Sequence, residues 1–240
     1  MLDSANVARP RKQGPGAAPI GGKRRRMTIV TPRMDRLPAE QRGLTIADFL
    51  VPIQLADQMS VRLRHVALMV LGALLIALCA RISIPVPDSP VPITGQTFGV
   101  LLVGGALGMR RGMTSVSLYV LIGLIGIPFF AEGKGGINVI TGATGGYIVG
   151  FIAAGAVVGR LAELGWDRRL IGALGAMAIG NAVIYLIGVP WLMAVTHISL
   201  GDAIREGVVP FLLGDLIKLL LAAAAFPAAW WLVGRRPGEA

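Results

Sequence analysis

From Val66 to Val233 the chain is a succession of apolar runs broken by short polar connections. A helix needs about 20 apolar residues to cross the hydrocarbon core of a bilayer. Against that length the runs read Val66–Ile84, Thr97–Met109, Met113–Ile127, Gly145–Leu164, Leu170–Val189 and Val208–Val233. The second and third are short, and only Arg110, Arg111 and Gly112 separate them, as in a tight helical hairpin. Hydrocarbon offers no water to free backbone N–H and C=O groups, so runs of this kind have to be helices. Composition agrees, with 54% hydrophobic and 15% charged residues, a balance too apolar for an ordinary soluble domain. The expected fold is an all-α integral membrane protein with six transmembrane helices. Its membrane domain covers residues 61–234, between a basic tail at 1–60 and a short C-terminus at 235–240.

Charge gives that bundle an orientation. Up to Arg64 the chain holds 12 Lys and Arg against 5 Asp and Glu. Arg110 and Arg111, then Arg160, Arg168 and Arg169, then Arg235 and Arg236 fall on the same side as the tail. The opposite loops hold only Lys134 and Arg205. The positive-inside rule then places both termini in the cytoplasm and three loops outside: Pro85–Gln96, Pro128–Thr144 and Pro190–Gly207. The tail, with its run Lys23, Arg24, Arg25, Arg26 and its Pro and Gly clusters, is expected to lack a packed core up to about Leu44. It lacks the interleaved aromatics of a nucleic-acid stacking surface. Leu44 to Ser60 suggests a short interfacial helix, interrupted at Pro52. The first apolar run arrives too late for a secretory signal peptide, and Met27, Met34 and Met59 offer alternative starts.

Inside the last run stand an acid and a base, Asp215 and Lys218, at a spacing that sets both on one helical face. An unpaired charge in lipid costs roughly 2.5 to 3.5 kcal/mol on insertion scales, so such groups face each other, a polar cavity or a substrate path. Asp215 lies about five residues, or roughly 7.5 Å at 1.5 Å per residue, below the outer end of its helix. The pocket it implies opens outward. Above it, Pro85, Pro87, Pro90 and Pro92 stiffen the first outer loop. The second outer loop is glycine-rich, from Gly133 to Gly136 and again at Gly142, Gly145 and Gly146, which allows close backbone approach to a ligand. Three readings of Asp215 and Lys218 stay open on these residues: a structural ion pair, an ion- or proton-coupled transport site, and a substrate site.

Other chemistries find no support. Gly133-Lys134-Gly135 lacks the spacing of a phosphate-binding P-loop, so ATP-driven work requires a partner. His65 and His197 fall on opposite sides of the membrane and cannot share a metal, and the single Cys79 excludes an intrachain disulfide framework. No nucleophile, base and acid converge, and the chain is expected to be neither an enzyme nor a holder of a cofactor. In the first run Ala73 and Ala77 form a small-xxx-small pattern, which serves either internal packing or a partner membrane subunit.

Four ordered motifs together resemble the BioY family, the biotin-specific substrate-binding (S) components of energy-coupling-factor (ECF) transporters. They are Pro90-Val91-Pro92-Ile93-Thr94-Gly95-Gln96-Thr97, Gly133-Lys134-Gly135-Gly136, Thr141 to Tyr147 with Gly150-Phe151, and Gly214-Asp215-Leu216-Ile217-Lys218. The resemblance runs from about Val66 to Val233. It implies a six-helix S component in a bacterial cytoplasmic membrane that captures biotin from the outer face. It also implies assembly with a transmembrane coupling protein and two cytoplasmic ATPases, which alone use ATP. The resemblance assigns ligand contact to Asp215 and Lys218, with Lys134 and Gln96 beside them and Gly136 and Tyr147 as wall positions. It assigns the Ala73 and Ala77 face to the coupling protein. Ala143 stands where the family usually has proline, Lys134 occupies a position that is asparagine in some relatives, and the basic tail has no counterpart. An S component for another vitamin shares the same outline.

Overall fold

The structure, a computed structural model, describes residues 45–47, 60–87 and 89–232. Most of the expected tail, most of the expected interfacial helix and the C-terminus at 235–240 lie outside the described residues. Helix α1 (Val61–Cys79) starts where the Ser60 hydroxyl accepts the Leu63 N–H at 3.3 Å, a side-chain N-cap. It begins five residues earlier than the apolar run and ends five earlier, because Arg62 and Arg64 continue the helix beyond its hydrophobic part. Past it, β1 (Ser83–Ile84) pairs antiparallel with β2 (Ile93–Thr94), Ser83 opposite Thr94 and Ile84 opposite Ile93. The proline-rich outer loop is therefore held at its base by a small hairpin.

Helices α2 (Gln96–Leu107) and α3 (Met109–Leu124) follow with one residue between them. That residue is Gly108, at φ +81°, a conformation open to glycine and strained in other residues. The hairpin turn thus falls two residues before its expected start at Arg110, and Arg110 and Arg111 stand in the first turn of α3 rather than in a loop. Glu163 explains how the helix begins there, since its Oε1 accepts the free Met109 N–H at 2.8 Å. A short turn (Ala131–Gly133) and α4 (Ile137–Thr141) then lead to α5 (Gly145–Glu163).

Helix α5 is the central member: 61% of its span is buried, against 22–28% for the other long apolar helices. Backbone meets backbone along it. A Cβ on Gly104 would stand 2.7 Å from the Gly155 carbonyl oxygen, and one on Gly159 would stand 2.5 Å from the Gly108 carbonyl carbon. Small residues at such crossings let membrane helices approach closely.

Helix α6 (Leu170–Thr196) runs straight through Pro190, which the apolar pattern places outside the membrane at the start of a loop. The expected outer loop Pro190–Gly207 is instead the end of α6, a left-handed stop at His197 (φ +57°), and the short α7 (Leu200–Gly207), capped by Ser199. Proline removes one N–H from the ladder, a loss that membrane helices tolerate among packed neighbours. The last run is also divided: a turn at Val209–Phe211 precedes α8 (Leu212–Leu232), so Asp215 sits in the first turn of its helix.

Among the described residues four segments are long and apolar enough to cross a membrane: Arg62–Cys79, Gly145–Glu163, Leu170–Thr196 and Leu200–Trp231. Helix α2 is a shorter apolar helix. Their outward faces are apolar, for example Leu71, Ile171 and Leu213 at 61%, 83% and 71% exposed. In water such faces would be a liability, whereas hydrocarbon solvates them. At the other end of α8 from Asp215, Trp230 Nε1 donates to Asp167 Oδ2 at 2.8 Å, and the Arg168 guanidinium lies 5.1 Å from the Trp230 ring centroid. The connection between α5 and α6 is thereby tied to the end of α8. Burial pushes the Asp167 carboxyl up to about 6, against the opposing pull of the Trp230 hydrogen bond and Arg168.

Candidate functional site

A cavity of about 420 Å³ lies among the β-hairpin loop, the 128–144 connection and α2, α5, α6 and α8. That volume falls within the range of small-molecule sites, as does a lining of apolar walls with a few polar groups. Val91, Ile148, Phe151, Ile184 and Phe211 supply apolar wall. Five of the six ligand-contact positions expected from the sequence line it: Gln96, Lys134, Tyr147, Asp215 and Lys218. Gly136 does not. It caps α4 at φ +94°, donates its N–H to the Gly123 carbonyl at 2.7 Å, and so shapes the turn rather than the wall.

Asp215, 6% exposed, anchors the buried end. Its Oδ1 accepts from Lys218 Nζ at 3.1 Å, and its Oδ2 accepts from the Tyr185 hydroxyl. Lys218 Nζ also donates to Thr97 Oγ1 at 3.1 Å. The first turn of α8 favours a carboxylate, since free N–H groups and the helix dipole present partial positive charge there. Three helices therefore meet in one polar cluster: α2 through Thr97, α6 through Tyr185, and α8 through both charges. Tyr147 on α5 sets its ring edge-on to Tyr185, 6.4 Å between centroids, and its hydroxyl donates to the Gly207 carbonyl at 3.0 Å.

Gln96 is largely committed inside the protein. Its Oε1 accepts from Thr94 Oγ1 at 3.0 Å and its Nε2 donates to the Tyr119 hydroxyl. One N–H and one lone pair of the amide are left for a ligand. Lys134 lies at the exposed end, paired with Glu132 at 2.6 Å. Ala73 and Ala77, expected at a partner surface, are 1% and 7% exposed and pack among the protein's own helices. Their small side chains let α1 approach its neighbours, and the outward face of α1 carries Leu71, Leu74 and Leu78 instead.

Tyr185, Asn181, Thr97, Asn138 and Glu132 also line the cavity, and none of them was assigned ligand contact from the sequence. For two of them a signal existed. Asn181 and Tyr185 are polar-tipped residues four apart inside an apolar run, the same one-face argument that identifies Asp215 and Lys218.

A family model described as BioY family matches residues 54–235. A Thermotoga maritima protein named biotin transporter BioY is 44% identical over 149 residues, which cover 62% of this chain and 85% of that one. A Rhizobium etli protein of the same name is 34% identical over 166 residues, covering 65% and 88%. A crystal structure of the S-component for biotin from an ECF-type ABC transporter superposes with a TM-score of 0.67 at 26% identity, covering 75% of this chain and 97% of that one.

Proposed function

This chain belongs to the BioY family, and on that premise we propose that it is the biotin-binding S component of an ECF-type transporter, a multi-pass membrane protein. The observation that carries the proposal is the buried cluster of Asp215, Lys218, Tyr185 and Thr97 at one end of an apolar-walled cavity. The ureido ring of biotin offers two N–H donors and one carbonyl acceptor. Asp215 has unused lone pairs for the N–H groups, and Lys218 has a third N–H for the carbonyl. The fused thiophane ring and the methylene chain then lie against Val91, Ile148, Phe151, Ile184 and Phe211. The valerate carboxylate reaches the exposed end, where Lys134 or the backbone of the Thr144–Gly146 turn neutralises it.

In this reading six helices cross the membrane, with the basic tail and both termini in the cytoplasm, as the distribution of Lys and Arg supports. The cavity then faces outward and captures biotin before transport. No nucleotide-binding motif occurs in the sequence, so the energy comes from partner ATPases through a transmembrane coupling protein. With Ala73 and Ala77 packed inside, the coupling protein meets the outward face of α1 rather than the small-residue face. Calorimetric titration of the purified protein tests the ligand: biotin should bind and thiamine and riboflavin should not. Uptake in vesicles that is independent of ATPase subunits and collapses with an uncoupler would point instead to ion-coupled transport.

A further inference from the structure

A second ion pair lines the same cavity. Lys134 Nζ and Glu132 Oε2 are 2.6 Å apart with side chains 63% and 37% exposed, whereas those of Lys218 and Asp215 are 17% and 8% exposed. The turn that carries the outer pair is firmly built. Phe130, 1% exposed, packs edge-on to Tyr119 with 5.7 Å between centroids, and its N–H donates to the Lys134 carbonyl at 3.0 Å. The Lys134 N–H donates to the Ala131 carbonyl at 3.0 Å, and Arg81 Nη2 holds the Pro128 carbonyl at 2.7 Å. Glu132 itself adopts φ +58°, a left-handed conformation uncommon in residues other than glycine. Strain of that kind gathers at ligand-binding positions.

We propose that Glu132 and Lys134 read the far end of the ligand and admit a second ligand class, biotin amide-linked to the ε-nitrogen of lysine. The inference rests on the biotin reading above, with the ureido ring at Asp215. A plain valerate brings one negative charge to this end. It gains Lys134 but stands beside Glu132 and competes with it for the same ammonium. The lysine amide instead ends in an α-ammonium and an α-carboxylate. Its flexible lysine chain runs past the position of the valerate carboxyl and turns back along the partly exposed pair, so that the ammonium meets Glu132, the carboxylate meets Lys134 and every charge keeps a partner. Glu132 therefore opposes the free acid and favours the zwitterion.

Opposite signs make the idea testable on the purified full-length protein. Biotin, biotinamide and ε-biotinyl-lysine would be titrated calorimetrically into the wild type, Glu132→Gln and Lys134→Gln. Because both side chains are partly solvated, effects of about two- to fivefold are expected, the range of exposed charge pairs. Glu132→Gln should tighten biotin and weaken ε-biotinyl-lysine, and leave biotinamide within about twofold. Lys134→Gln should weaken both charged ligands and spare biotinamide. A shift of both charged ligands in the same direction in Glu132→Gln would overturn the proposal, as would a wild type that binds biotin and rejects ε-biotinyl-lysine. A wild type that fails to bind biotin would overturn the reading beneath it.

Discussion

Replacing Asp215 with Asn strips the site of its only buried carboxylate among the cavity-lining residues. The wild-type carboxylate accepts from Lys218 at 3.1 Å and from Tyr185, and Lys218 has Thr97 as its other partner at 3.1 Å. In Asp215→Asn the ammonium keeps Thr97 and loses its counter-ion. Removing one member of a buried ion pair costs about 3 to 5 kcal/mol. Of the interactions lost, the one aimed at a ureido N–H is a charge-assisted hydrogen bond worth about 1.5 to 3 kcal/mol. That corresponds to roughly ten- to hundredfold in the Kd for biotin. Stability and binding can be separated with the double variant Asp215→Asn, Lys218→Met, which removes the stranded ammonium. Its thermal unfolding midpoint should recover toward wild type while its affinity stays low. Calorimetric titration beside thermal unfolding reads both quantities. A Kd for Asp215→Asn within twofold of wild type would refute the reasoning. So would restored affinity in the double variant, because Asp215 would then act only as the counter-ion of Lys218.

Two further outcomes follow from single contacts. Tyr185→Phe removes one neutral donor to Asp215 and should weaken biotin about fivefold, the equivalent of roughly 1 kcal/mol; an unchanged Kd would exclude Tyr185 from orienting the carboxylate. Asp167, outside the spans, has a carboxyl raised to about 6 by burial from an ordinary 3.8. The folded state therefore holds more protons than the unfolded one between those values, and stability falls as pH rises through that window. Asp167→Asn keeps an acceptor for Trp230 and removes the ionisation. It should flatten the slope between about pH 4 and 6 and raise stability near pH 7 by roughly 2 to 3 kcal/mol, as judged by unfolding midpoints across pH.

The long apolar runs were legible because hydrocarbon imposes a simple length rule, and α1, α5 and α6 lie close to where that rule puts them. Their ends were not. The rule sees only apolar side chains, whereas Arg62 and Arg64 extend α1, and Glu163 starts α3 at Met109 by capping it from across the bundle. Pro190 misled for a related reason. Its cost in a helix is local, and the packing of α6 on α5 outweighs it. Asp215 and Lys218 were legible as costly charges, and Tyr185 carried a weaker signal in its spacing from Asn181, but the meeting of Tyr185 and Thr97 with them was not legible, since nothing along the chain says that α6 and α2 converge on α8. Ala73 and Ala77 show the limit of a motif: small residues report a close approach without saying to which helix.

The most direct measurement is calorimetric titration of the purified protein with biotin, thiamine and riboflavin under one set of conditions. Biotin should bind saturably at one site per chain, and thiamine and riboflavin should give no heat beyond dilution. Saturable binding of either other vitamin, or no binding of biotin, would contradict the assignment of this cavity to biotin.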